Sequence, residues 1–116
     1  MLFRSQGEDL TGKTITVYHE EGTGDFIQFC RFLPRLKERA GKVQICGVVP
    51  SLLDLVSKQL GVDVVPLGRP ACDYVTGSMS FPWRLGIDYK DVNGNPYFSV
   101  EPATFPRRGL LNVGLV

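Results

Sequence analysis

Short strand-like runs, separated by two segments of helical spacing, constrain this chain more than any other feature. "TITVYH", residues 14–19, is rich in β-branched and aromatic residues and predicts a first strand. Phe26, Phe29, Cys30, Leu33, Leu36 and Ala40 then recur in steps of three and four, which lays them along one stripe of a helix. Gln28, Arg31, Arg35, Glu38 and Arg39 fall mainly on its other side. "VQICGVV", residues 43–49, predicts a second strand. Leu52, Leu53, Leu55, Val56 and Leu60 predict a second helix, opened by Ser51 with Asp54 and closed by Gly61. "VDVVP", residues 62–66, and "ACDYV", residues 71–75, predict a third and a fourth strand. The order β-α-β-α-β-β with short connections implies a parallel sheet, with right-handed crossovers and helices packed on its faces. The first two strands are apolar almost throughout, as a covered sheet requires. The expected fold is α/β, a Rossmann-like parallel sheet flanked by helices.

Finer signals mark the element ends. Asp25 is placed as N-cap of the first helix, with Gln28 at the N3 position of a capping box. Gly41 is a natural C′ residue. Pro34 removes a backbone hydrogen bond and predicts a kink or an early end to that helix. Residues 1–13 read as a lead-in with a turn at 11–13. "SMSFPWRLG", residues 78–86, predicts a short turn or helix with Pro82 in its first turn. Residues 88–96 are rich in Asp, Asn and Gly and read as a loop. "PYFSV" beyond it reads as extended, and the closing "LLNVGLV", residues 110–116, as a strand.

Composition narrows the function classes. A chain of 116 residues with 43% apolar content suits one globular domain with a real core. Thirteen basic against twelve acidic residues leave a net charge of +1, which does not favour a large nucleic-acid surface. Cys30, Cys46 and Cys72 are odd in number and widely spaced, so neither a disulfide framework nor a zinc site is expected. They read as reduced cysteines of a cytoplasmic protein. No signal peptide and no apolar run of membrane-spanning length is recognisable. No cofactor and no metal is expected.

The chemistry-bearing stretch is the corner after the first strand, "HEEGTGDF", residues 19–26. In parallel sheets of this type ligands bind outside the carboxyl ends of the strands, which is where this corner lies. Gly22 and Gly24 can adopt backbone angles closed to other residues and admit a ligand close to the main chain. Three readings compete. A phosphate cradle lacks its third glycine, because Ile27 stands there, and Glu20, Glu21 and Asp25 would repel a phosphate. A purely architectural corner has Asp25 capping the helix and nothing more. A catalytic corner has the Asp25 carboxylate accept a proton from an attacking hydroxyl. Spacing does not choose between the last two, since one carboxylate oxygen can cap while the other faces a ligand.

The same stretch belongs to a longer pattern. Leu10, Gly12, Lys13, Glu20, Gly22, Gly24, Asp25, Ile27, Gln28, Phe29, Arg31 and Pro34 resemble the start of the glycosyltransferase domain that follows tetratricopeptide repeats in many bacterial proteins. That domain is similar to the heptosyltransferases of glycosyltransferase family 9, and more distantly to the O-linked N-acetylglucosamine transferases. Asp73, Met79, Ser80, Pro82 and Gly86 match a second family segment, and "NVGLV" resembles a third. The resemblance implies the N-terminal, acceptor-side half of a two-domain GT-B fold. It implies that Asp25 is the general base, and that Gly22, Thr23, Gly24, Gln28, Arg31, Met79 and Ser80 line the acceptor cleft. For Gln28 and Arg31 a solvated helix face stays open as the alternative, and for Met79 and Ser80 loop packing. His19 reads as a structural residue.

The departures shape the expected function. Residues 1–109 match the acceptor-side domain, and residues 110–116 resemble the start of the donor-binding domain that would follow. The residues that would hold a nucleotide and its pyrophosphate are absent, and the segment 94–111 fits the pattern poorly. The resemblance therefore implies a hydroxyl-bearing acceptor as partner, with a nucleotide sugar bound only alongside a C-terminal domain. The chain alone is expected to be inactive in transfer. The alternative is a non-catalytic binding or assembly module that keeps the fold, whose open apolar face promotes homo-oligomers.

Overall fold

The computed structural model describes residues 3–4, 8–20 and 22–102. The expected strand over 110–116, and with it the expected start of a second domain, lies outside these residues. Among the described residues five parallel strands form one sheet: β1 (Phe3–Arg4), β2 (Thr14–Tyr18), β3 (Lys42–Cys46), β4 (Asp63–Val65) and β5 (Tyr74–Gly77). Their spatial order is β1-β5-β2-β3-β4. From β2 the chain builds outward through β3 to β4, then returns to place β5 on the other side of β2. The order therefore reverses between β2 and β5, and such reversals open a crevice at the carboxyl edge of a Rossmann-like sheet. The lead-in contributes an edge strand where the sequence shows none. Phe3 and Arg4 pair with Tyr74 and Val75, a strand too short for alternation to reveal.

The first helical segment, residues 23–39, is broken as Pro34 requires. Helix α1 (Thr23–Phe29) gives way to a 3₁₀ turn, Cys30–Phe32, before helix α2 (Leu33–Arg39) resumes with Pro34 in its first turn. Pro34 has no N–H for the Cys30 carbonyl, and the Leu33 N–H takes that carbonyl one residue early. The helix start differs from expectation by three residues. Gly22 is the N-cap and its carbonyl receives the Phe26 N–H at 3.1 Å. Asp25 sits at N3, where its Oδ2 accepts from the Gly22 N–H at 3.2 Å and its charge faces the positive helix end. Gln28 accordingly lies near the end of α1 and is exposed. Gly41 does follow the helix, but space, not a left-handed cap, demands it. A Cβ there would come within 2.6 Å of the Gly12 backbone.

The second helical segment, residues 50–60, opens as a 3₁₀ turn (Pro50–Leu52) and widens to π winding over Leu55–Gln59. Gly61 ends it at a φ of +60°. The Lys37 ammonium reaches across from α2 to the Leu60 carbonyl at 3.0 Å and fastens the two helices. Helix α3 (Phe81–Arg84) follows β5, with Pro82 in its first turn as expected.

The two faces of the sheet are filled differently, and the strands, expected to be apolar almost throughout, carry buried polar residues on one of them. Ile15, Val17, Val43 and Ile45 face the helices and join Phe26, Cys30, Leu33, Leu36, Val56 and Phe81 in one core. The alternate positions Thr16 and Gln44 point to the opposite face, and both are buried. The Gln44 amide donates to Thr16 Oγ1 at 2.9 Å and to the Ala71 carbonyl at 3.0 Å. Cys46 Sγ contacts the Pro66 carbonyl, and the Tyr18 hydroxyl donates to the Gly68 carbonyl at 2.9 Å. The β4–β5 connection thus covers this face as a loop whose backbone carbonyls are met by polar side chains.

Candidate functional site

The chain leaving β2 divides around the switch point. His19 leans towards β3: its N–H donates to the Cys46 carbonyl at 3.0 Å and its Nδ1 lies 3.0 Å from the Gly47 carbonyl. A carbonyl only accepts, so Nδ1 carries the proton. Its ring packs on Phe26 with centroids 4.8 Å apart, and its Nε2 is buried with no partner among the described residues. The structural role expected of His19 thus satisfies one ring nitrogen and leaves the other bare. Glu20 leans the other way, towards β5. Its N–H donates to Ser78 Oγ at 3.1 Å, and its Oε2 accepts from the Met79 N–H at 3.0 Å. Ser78 is buried, while Glu20 is half-buried.

Asp25 lies one step further along the corner. Gly22, Thr23, Gly24, Asp25 and Gln28 are all exposed along the start of α1. The Oδ2 of Asp25 is held by Gly22, and no partner among the described residues binds its Oδ1. The two glycines do not use special backbone freedom. Gly22 is extended at φ −76° and ψ 161°, and Gly24 sits in the helix's first turn with nothing within 4 Å of a Cβ built on it. Both conformations suit any residue, so what Gly24 supplies is open space beside the main chain.

Met79 and Ser80 follow β5 after Ser78, and Met79 is 40% exposed. Glu20 fastens this segment to the end of β2, so Met79 stands beside the end of β2 at the switch point. Arg31 does not join them. Its guanidinium donates to the Asn93 carbonyl and lies 4.9 Å over the Tyr97 ring, and its Nε is buried without a partner among the described residues. The segment from Asp88 to Ser99 straps the helical layer: the Tyr97 hydroxyl donates to the Ile27 carbonyl at 2.8 Å, and Ser99 exchanges two hydrogen bonds with Gln59.

Glu20 is the rim residue to which sequence reasoning assigned no role. It entered only as a residue of the family pattern and as a charge that repels phosphate. The signal for it is Gly77, which stands beside Tyr18 in the β2–β5 register. A methyl group at Gly77 would overlap the Glu20 carboxylate. That signal becomes readable only once the two strands are known to be neighbours.

Two features elsewhere bear on what the chain can bind. An apolar groove of about 940 Å³ runs along β4, an edge strand among the described residues, and is lined by Val48, Val49, Leu53, Val64, Val65 and Leu67 among others. Leu67 is 82% exposed at its margin. Among the described residues no three His, Cys, Asp or Glu side chains are grouped as metal ligands, and no helix is long and apolar enough to cross a membrane. All three cysteines are free, and burial pushes the Cys30 thiol up to about 12. No protein-family model matches this chain, and no curated protein or solved structure matches it either.

Proposed function

We propose that this chain is the acceptor-side domain of a heptosyltransferase-like glycosyltransferase, with Asp25 as general base. One observation carries the reading. Asp25 sits at the carboxyl rim with a single oxygen fastened to the Gly22 N–H and the other open to solvent. A base needs this arrangement: a fixed carboxylate with a free lone pair for the attacking hydroxyl. The free oxygen would take the proton as the hydroxyl oxygen attacks the sugar's anomeric carbon and the nucleotide leaves. Gly24 leaves room for the acceptor beside the helix start, and Met79 and Ser80, tied to the end of β2 through Glu20, would contact it from the β5 side. The nucleotide sugar requires a second domain, so the chain by itself binds acceptor without turnover.

The test is an amide-resonance titration of the purified chain with monosaccharides. Shifts confined to residues 20–28 and 77–80 support the reading. Absence of any saccharide-dependent shift there overturns it, as does turnover of a nucleotide sugar by the isolated chain. The alternative, an assembly module that keeps the fold, is favoured by the apolar groove along β4 and by the exposure of Leu67. It requires the wild-type chain to self-associate and Leu67→Asp to be monomeric in sedimentation.

A further inference from the structure

We infer that Glu20 is a second hydroxyl-binding group of this rim, and that it selects neutral or amino sugars over sugar phosphates. The inference rests on the acceptor-side reading above and names the class of acceptor. Glu20 bridges the ends of the two strands that flank the switch point, through the Ser78 hydroxyl and the Met79 N–H. Its second carboxylate oxygen has no partner among the described residues. The sheet makes room for this acid: Gly77 lies where any side chain would displace it.

The chemistry of the group sets the ligand. An ionised carboxylate only accepts hydrogen bonds, so its natural partners are sugar hydroxyls and, more strongly, a sugar ammonium. A phosphate offers acceptors and negative charge, and Asp25 adds a second carboxylate to the same corner. Arg31, the nearest cation along the helix sequence, is engaged by the Asn93 carbonyl and the Tyr97 ring. A merely structural bridge, by contrast, uses only the oxygen held by Met79, and a glutamine carbonyl provides that equally well.

Glu20→Gln therefore separates the two roles. The probes are glucosamine, glucose and glucose 6-phosphate, followed through the backbone amides of Gly22 and Met79, together with hydrogen exchange at Met79. In the wild-type chain glucosamine binds tightest and glucose 6-phosphate weakest. In Glu20→Gln the Met79 exchange rate is unchanged while glucosamine affinity falls about tenfold, the scale of one charge-assisted hydrogen bond. Gly77→Ala, which expels the carboxylate, loses both Met79 protection and binding. Unchanged glucosamine affinity in Glu20→Gln overturns the inference and leaves the acceptor-side reading standing. So does a glucose 6-phosphate response stronger than that of glucosamine. Loss of Met79 protection together with binding in Glu20→Gln assigns Glu20 a bridging role only and also overturns it. If none of the three probes reaches the rim, the inference and the acceptor-side reading fall together.

Discussion

The helix-covered face and the loop-covered face of this sheet are built from the same strands by opposite means. On one, Ile15, Val17, Val43 and Ile45 are sealed by helices that satisfy their own backbone groups, so the contact is apolar and close-packed. On the other, a connection without helix lies over the strands, and its carbonyls must find donors. Gln44 and Tyr18 supply them, with Thr16 completing the pair beneath. The difference teaches that a buried face need not be a hydrophobic one. What covers a face decides which residues it must carry, because loop backbone cannot be buried without partners.

Mutations measure how far the two faces differ. Ile45→Ala opens a cavity under the helices and is expected to lower unfolding free energy by about 3–4 kcal/mol in urea denaturation. Gln44→Leu keeps the volume but strands the Thr16 hydroxyl and the Ala71 carbonyl, at a cost of about 1–3 kcal/mol. Adding Thr16→Val should recover part of that loss. Equal costs for the two single changes would erase the contrast between the faces.

The cysteines probe the same contrast without mutation. Cys72 in the covering loop is half-buried, Cys46 is buried beneath that loop, and Cys30 is buried in the helix layer. Alkylation of the native protein should follow the order Cys72, Cys46, Cys30, read by peptide mass. With its thiol pushed from 9.0 to about 12, Cys30 holds on the order of a thousandfold less thiolate at neutral pH than an ordinary cysteine. The sign of the linked stability follows. Cys30 contributes fully below pH 9.0, and its contribution is lost as pH rises through about 12. Alkaline unfolding should therefore begin later in Cys30→Ala relative to its own neutral-pH stability. Alkylation of Cys30 before Cys46 would show that the helix layer opens first.

The smallest effect is expected at the rim. Asp25→Asn keeps an oxygen for the Gly22 N–H and loses only the charge at the helix start, so stability falls by less than about 1 kcal/mol. Under the acceptor-side reading proposed above, the same change in a protein that also carries a donor-binding domain should abolish sugar transfer. A loss of several kcal/mol would make Asp25 an architectural residue and remove the case for a base.

Much of the fold was legible because it is written in local periodicity. Steps of three and four marked the helices, Pro34 marked the break, Gly61 marked a helix end, and β-branched runs marked β2, β3 and β4, while β5 begins three residues later than expected and β1 carried no signal. The misplaced features share a cause. Asp25 reads as a cap and as an N3 residue equally well, and only the hydrogen bond that the Phe26 N–H donates to the Gly22 carbonyl distinguishes them. Gly41 does stand at C′, after the Ala40 cap, but what requires a glycine there is the Gly12 backbone, which is far away in sequence.

The sequence by itself determined the parallel α/β class and placed an acidic corner after the strand Thr14–Tyr18, because hydrophobic period and turn chemistry act over a few residues. Only the tertiary structure decided that β5 returns beside β2, that Gly77 makes way for Glu20, and that Arg31 is bound up in the strap. Those facts depend on which distant segments become neighbours, and no local pattern of residues encodes a neighbour.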